Sequence, residues 1–202
     1  MLERIKRLQR HTKKVLLFRK LRPGDVAIDC GANVGEVTRW MARPGVRVFA
    51  FEPNSHAFRV LREKFNGNTE VVCLNQAVAD RVGTMKLYLH EHSENDQVIW
   101  SVGSSLIESK GNVSRDRFEE VQVVDLCEFI QGLNARVRIL KIDIEGAEVA
   151  LLNRLIDLKL HERVDRIVVE THERIPELAE PTARLRERIR RENIRNIDLS
   201  WE

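Results

Sequence analysis

A chain of 202 residues, 43% hydrophobic and 32% charged, has the size of one large domain with a substantial core, so neither a second domain nor a disordered chain is expected. The net charge of +3 is uneven, since residues 1–22 hold nine Lys or Arg against one acid, Glu3, leaving about +8 there and about −5 elsewhere. An acidic body argues against a nucleic-acid partner and confines any peripheral contact with an anionic surface to the leading segment.

Leu2, Ile5, Leu8, Val15, Leu16, Phe18 and Leu21 recur at spacings near three and four, which predicts a basic amphipathic helix over residues 1–22, ended by Pro23-Gly24. The remainder, 23–202, reads as one domain. Strand 26–30, helix 36–42, strand 47–51, helix 55–65 and strand 71–74 alternate, the pattern of a parallel sheet covered on both faces. Residues 85–89 alternate like a strand, and the polar stretch of about 90–117 is expected to be an insertion or lid. The rhythm then resumes with strand 121–124, helix 125–131, strand 137–142, helix 146–157, strand 164–169, helix 181–192 and strand 194–199. Cys30, Cys73 and Cys127 are odd in number and far apart, which gives no disulfide framework and no Cys-x-x-Cys metal site. With no membrane-length apolar run and no signal peptide, a cytoplasmic protein is expected.

The first strand runs into Asp29-Cys30-Gly31-Ala32-Asn33-Val34-Gly35. Gly31 and Gly35 make a tight turn that brings backbone N–H groups toward a ligand at the start of a helix. A dinucleotide fingerprint would have glycine where Asn33 stands, so NAD is a poor match. Asp-x-Gly-x-Asn-x-Gly instead resembles the S-adenosylmethionine-dependent class I methyltransferases, in which Asp29 would suit the ligand's ammonium. Glu52, followed by Pro53, closes the second strand 21 residues after Gly31, where an acid accepts both ribose hydroxyls. After the third strand, residues 75–80 would line the adenine, through Asn75 and the backbone at Ala77; an Asx turn or a helix cap is the alternative for this loop.

Several blocks together resemble the FkbM family of methyltransferases: Val26 to Gly35 with Thr38, Phe49 to Asn54, Asn75 to Asp80, Ser104-Ser105-Leu106, and Leu140-Lys141-Ile142-Asp143-Ile144-Glu145-Gly146-Ala147-Glu148. The resemblance covers about residues 24–172. It implies a Rossmann-like class I methyltransferase fold, S-adenosylmethionine as cofactor, and methyl transfer to a hydroxyl of a small molecule, sugar, glycolipid or polyketide-like acceptor. Such folds close with an antiparallel strand pair, but only one strand, 194–199, is evident here. The sheet edge is then either shortened or completed by a partner, a second copy of the chain included.

An open α/β sheet places its ligand crevice at the C-terminal strand ends, where a base for the acceptor hydroxyl belongs. Asp143 and Glu145 leave strand 137–142 with a spacing of two, which puts both on one side if the backbone stays extended. Asp143 would serve both cofactor and catalysis. Glu148 falls in a first helical turn, where an acid is stabilised whatever the chemistry. Glu170 and His172 follow strand 164–169, and an imidazole is a natural base near neutral pH. Asp143, Glu170 and His172 could instead ligate a divalent metal, although catalysis without metal is the first expectation. His90-Glu91-His92 reads as a solvated loop, and Ser104 and Ser105 as substrate or lid residues. Two other classes stay open: a non-catalytic S-adenosylmethionine or nucleotide sensor, and an NAD-dependent oxidoreductase.

Overall fold

The computed structural model describes residues 15–90 and 113–201. In chain order come β1 (Val26–Cys30), α1 (Glu36–Met41), β2 (Arg47–Phe51), α2 (Ser55–Lys64) and β3 (Val71–Leu74). Next come β4 (Ala77–Ala79), β5 (Gly83–His90), β6 (Val113–Asp125), α3 (Leu126–Gly132) and β7 (Val137–Ile142). The last are α4 (Glu148–Asp157), β8 (Val164–Val169), α5 (Pro176–Arg191) and β9 (Ile197–Asp198).

Six strands make one sheet in the order β3-β2-β1-β7-β8-β9, every neighbour parallel. The chain winds outward from β1 to β3, then returns to place β7 on the other side of β1. This reversal opens a crevice beyond the C-terminal ends of β1 and β7. The architecture is the α/β, mostly parallel, Rossmann-like sheet expected from the sequence.

Both faces of the sheet are covered, so its strands are apolar on both sides. Val26, Ile28 and Cys30 of β1 and Leu140 and Ile142 of β7 pack with Leu126 and Ile130 of α3, Leu151 and Leu155 of α4, and Leu185 of α5. By the two-residue period, the alternate positions Ala27 and Ile139 face the other layer, where Met41 of α1, Phe18, Leu21 and Trp201 pack. Asp29 and Lys141 lie on this second face and are register partners across β1 and β7.

Of the expected N-terminal helix, the described part is a helical turn at residues 15–18; residues 1–14 lie outside the described residues. That turn is docked. Phe18 is 1% exposed, with its ring centroid 5.9 Å from Trp40 and 5.7 Å from Trp201.

Several boundaries differ from expectation. Residues 77–79 form β4 instead of a loop, pairing parallel with β6 in a second sheet ordered β4-β6-β5. Residues 113–117 of the anticipated insertion belong to β6, which pairs antiparallel with β5 from Gly83 opposite Val123 to His90 opposite Val113. His90 is the last described residue of β5. Glu91, His92, Ser104 and Ser105 lie outside the described residues. Helix α5 starts at Pro176, not 181: Pro176 takes the first helical position, which tolerates it, and Pro181 sits within the helix. Strand β9 is only Ile197–Asp198 and pairs parallel with β8, so among the described residues the central sheet has no antiparallel pair. None of the described helices is long and apolar enough to cross a membrane.

Replacing Phe18 with Ala is expected to cost about 3–5 kcal/mol in urea denaturation, as for other buried aromatic truncations. A loss under about 0.5 kcal/mol would show that the segment is not part of the folded core.

Candidate active site

The turn after β1 is built on three residues at positive φ: Gly31 (+76°), Asn33 (+49°) and Gly35 (+81°). Asn is among the few side chains that tolerate this region, which explains how Asn33 stands where glycine was anticipated for a dinucleotide. The glycines also make room for neighbouring protein. A Cβ on Gly31 would lie 1.8 Å from the Asp143 carbonyl oxygen, and one on Gly35 would meet Leu61 and Phe65 at 2.7 and 2.8 Å. Helix α1 is only six residues long, and its first turn carries Glu36, paired with Lys64 at 2.7 Å. An acid at that end disfavours a pyrophosphate.

Glu52 faces this turn from the end of β2. It is 6% exposed; its Oε2 accepts the Asn33 N–H at 2.7 Å and its Oε1 the Asn54 N–H at 2.8 Å. Asn54 also caps α2, accepting from the N–H groups of His56 and Ala57. The Asn75 amide donates to the carbonyls of Glu52 and Pro53 at 2.9 and 3.0 Å, so Asn75 fastens the strand end that carries Glu52. Ala77, expected in a loop, opens β4 opposite Val123 and is 3% exposed.

Asp29 does not line the crevice. Fully buried, it accepts from the Thr38 hydroxyl at 2.7 Å and lies 3.3 Å from the Lys141 ammonium. Lys141 is the residue that sequence reasoning passed over as part of a motif. Its Nζ donates to the carbonyls of Cys30 (3.2 Å) and Gly31 (2.7 Å) and lies 3.3 Å from Asp143 Oδ2. Burial disfavours its charge, yet Asp29 and Asp143 outweigh burial and hold its pKa above the ordinary lysine value. The signal was available: a lysine at an interior position of an apolar strand needs buried anions.

Asp143 follows β7, its N–H continuing the ladder to the Cys30 carbonyl at 3.1 Å. Beyond it the strand does not stay extended. Glu145 has φ +59° and Gly146 φ +123°, which is why α4 begins at 148 and not 146. The turn is wound around Glu148, 2% exposed, whose carboxylate accepts the N–H groups of Ile144 and Gly146. The acids still converge. His172 Nδ1 is 3.0 Å from Glu148 Oε1, while Nε2 is 3.0 Å from Glu145 Oε2 and 3.9 Å from Asp143 Oδ1. Burial opposes the imidazolium, but hydrogen bonds and charge from Glu145 and Glu148 prevail and push its pKa up to about 10. In this geometry the flanking carboxylates favour the imidazolium over the neutral imidazole that a base requires. Glu170 follows β8, its N–H bonded to the Ile142 carbonyl at 3.0 Å. One ligand atom each from Asp143, Glu170 and His172 lie within 4.8 Å of one another.

Burial raises the Glu52 carboxyl from an ordinary 4.5 to about 7, against the opposing N–H groups of Asn54 and Asn33. The folded protein therefore holds an extra proton between those values, and stability falls as pH rises through that window. Glu52→Gln is expected to remove this dependence, gaining about 1–3 kcal/mol on wild type between pH 5 and pH 8 in urea denaturation. Parallel pH profiles for the two proteins would contradict the burial of a charged carboxylate here.

Known proteins resemble the chain along most of its length. It is 29% identical over 191 residues to "31-O-demethyl-FK506 methyltransferase FkbM" of Streptomyces tacrolimicus, covering 83% of this chain and 73% of that protein. It is 30% identical over 172 residues to "Methyltransferase sdnD" of Sordaria araneosa, covering 72% of this chain and 66% of that protein. The chain thus spans 73% and 66% of the length of these two relatives. Among solved structures, precorrin-6y C5,15-methyltransferase from Geobacter metallireducens is similar with a TM-score of 0.44 and 12% identity, over 86% of this chain and 68% of that one. The model of the methyltransferase FkbM domain matches residues 29–195, and the chain belongs to the FkbM methyltransferase family.

Proposed function

We propose that the chain is an S-adenosylmethionine-dependent O-methyltransferase acting on a hydroxyl of a small molecule, sugar, glycolipid or polyketide-like metabolite. The observation that carries the reading is Glu52. Each of its oxygens accepts one backbone N–H, and a carboxylate has about four acceptor sites, so two remain for a ribose diol. Its raised pKa fits a buried anion lacking such donors. Glu36 at the start of α1 speaks against the pyrophosphate of NAD. The relative from Streptomyces is named for a 31-O-demethyl substrate, which favours oxygen as the methylated atom.

S-adenosylmethionine, when bound, supplies a methyl carbon made electrophilic by its sulfonium. The chain's part is to hold and align. Glu52 would take the ribose hydroxyls, and the turn from Gly31 to Gly35 would carry the amino-acid end. Asp143, 26% exposed and anchored by Lys141, stands at the mouth of the crevice next to that turn. It would accept the acceptor's O–H proton as the O–C bond forms and the C–S bond breaks. Well-oriented reactants gain roughly 7–11 kcal/mol from alignment, so positioning is the larger contribution. His172, whose pKa these carboxylates raise, would position Glu145 and Glu148.

Incubation with methyl-labelled S-adenosylmethionine and a panel of hydroxylated acceptors should transfer label to an ether-forming oxygen. Asp143→Asn should lower kcat by about 10²–10⁴ while S-adenosylhomocysteine still binds. Glu52→Gln should weaken S-adenosylhomocysteine binding at least about tenfold, the loss of charge-assisted bonds. Tight binding without turnover across the panel would favour a sensor, and binding of NAD in place of S-adenosylhomocysteine would overturn the cofactor.

A further inference from the structure

Glu52 combines deep burial with few hydrogen-bond donors. It is 6% exposed, and among the described residues its carboxylate accepts two hydrogen bonds, from the Asn33 and Asn54 N–H groups, one on each oxygen. A carboxylate withdrawn from water is costly unless donors or a cation fill its acceptor sites. We propose that the free protein carries Glu52 as a neutral carboxylic acid in mildly acidic solution and that S-adenosylmethionine displaces this proton on binding, so that cofactor affinity rises with pH. The inference rests on the reading of Glu52 as the group that takes the ribose hydroxyls.

The neighbouring charges do little to hold Glu52 ionised. From β1, Asp29 opposes its ionisation, and from β7, Lys141 favours it. The Lys141 ammonium lies 3.3 Å from both Asp29 and Asp143, which take up most of its charge. On α1, Glu36 is paired with Lys64 of α2 at 2.7 Å. On α2, the His56 ring is hydrogen-bonded with Arg59 at 2.8 Å and stands 3.9 Å from Glu119 of β6. The end of β3 offers the Leu74 carbonyl to the Glu52 N–H, while the Asn75 amide is engaged by the carbonyls of Glu52 and Pro53. Burial therefore outweighs the two N–H groups and Lys141, and the carboxyl is raised to about 7.

A ribose diol changes that balance. Ionised, the carboxylate can accept both hydroxyls on the sites that the backbone leaves open. Protonated, it has an O–H of its own to place, less acceptor capacity, and bonds that are not charge-assisted. The diol therefore binds the ionised form more tightly and draws the carboxyl back toward its ordinary range. The acid's O–H bond breaks, its electron pair stays on the carboxylate, and the proton goes to solvent. By linkage, a group with fewer protons in the complex than in the free protein makes binding stronger as pH rises from its pKa in the complex to its pKa in the free protein. With the free value at about 7, lowering the pH from 8 to 6 costs about tenfold in affinity. His172 does not share this window, because its pKa is pushed up to about 10.

Calorimetric titration of the full chain with S-adenosylhomocysteine, in two buffers of different ionisation enthalpy at pH 6 and again at pH 8, counts the protons exchanged. Release of about one proton at pH 6 and little at pH 8 is expected, with affinity about tenfold lower at pH 6. Glu52→Gln should abolish the release and flatten the affinity profile, so that its deficit against wild type shrinks as pH falls. Infrared difference spectra of the wild type, which need no variant, should lose a protonated-carboxyl band when the ligand is added at about pH 6. Binding with no proton release and equal affinity at both pH values would overturn the coupling and leave the cofactor reading standing. A release that persists in Glu52→Gln would assign the proton to another group and overturn the coupling as well. Absence of S-adenosylhomocysteine binding at either pH would overturn the cofactor reading, and the coupling with it.

Discussion

The Lys141 ammonium is the tie between the two halves of the sheet. Removing a cation of this kind from water costs several kcal/mol, and only close anions and carbonyls make such a position tolerable. Here the partners are Asp29 from β1, Asp143 from beyond β7, and the carbonyls of Cys30 and Gly31. Thr38 from α1 completes Asp29. A single buried charge thus joins the turn after β1 to the carboxylate of Asp143. Gly31 tightens the same joint, because its absent side chain lets the Asp143 backbone close against it.

Around that joint the crevice is arranged by charge. On the β2 side, Glu52 is buried with backbone N–H groups and, among the described residues, no cation hydrogen-bonded to it, which leaves acceptor sites open. On the β7–β8 side, several carboxylates gather about His172 and are held by its charge and by a turn with Glu145 at positive φ. A non-glycine residue in that region carries about 1–2 kcal/mol of strain, which the hydrogen bonds to Glu148 offset. Among the described residues, the β2 side of the crevice leaves acceptor sites on Glu52 without donors. A ligand that supplies such donors would lower the energy of the folded protein as it binds.

Most of the sheet was legible because its strands are short apolar runs separated by helices, and burial on both faces writes that pattern directly into β1, β2, β7 and β8. The turn and Glu52 were legible because positive φ and strand-end position restrict residue choice. What sequence could not resolve depends on contacts between distant segments. β4 was hidden because Ala77 to Ala79 carries no strand signal until β6 lies beside it. The start of α5 was misplaced because Pro181 resembles a helix start, whereas Pro176 is the true one. The inward turn of Asp29, the role of Lys141 and the raised pKa of His172 each involve a partner more than twenty residues away. Spacing alone placed Asp143 and Glu145 together, but through an extended backbone that the structure replaces with a turn around Glu148.

A crystal structure of the chain with S-adenosylhomocysteine is the most direct test of the central claim. The account predicts the ribose hydroxyls on the Glu52 carboxylate, the amino-acid end over residues 31–35, and the sulfur facing the crevice beside Asp143. A ligand seated elsewhere, or one whose ribose does not touch Glu52, would contradict it.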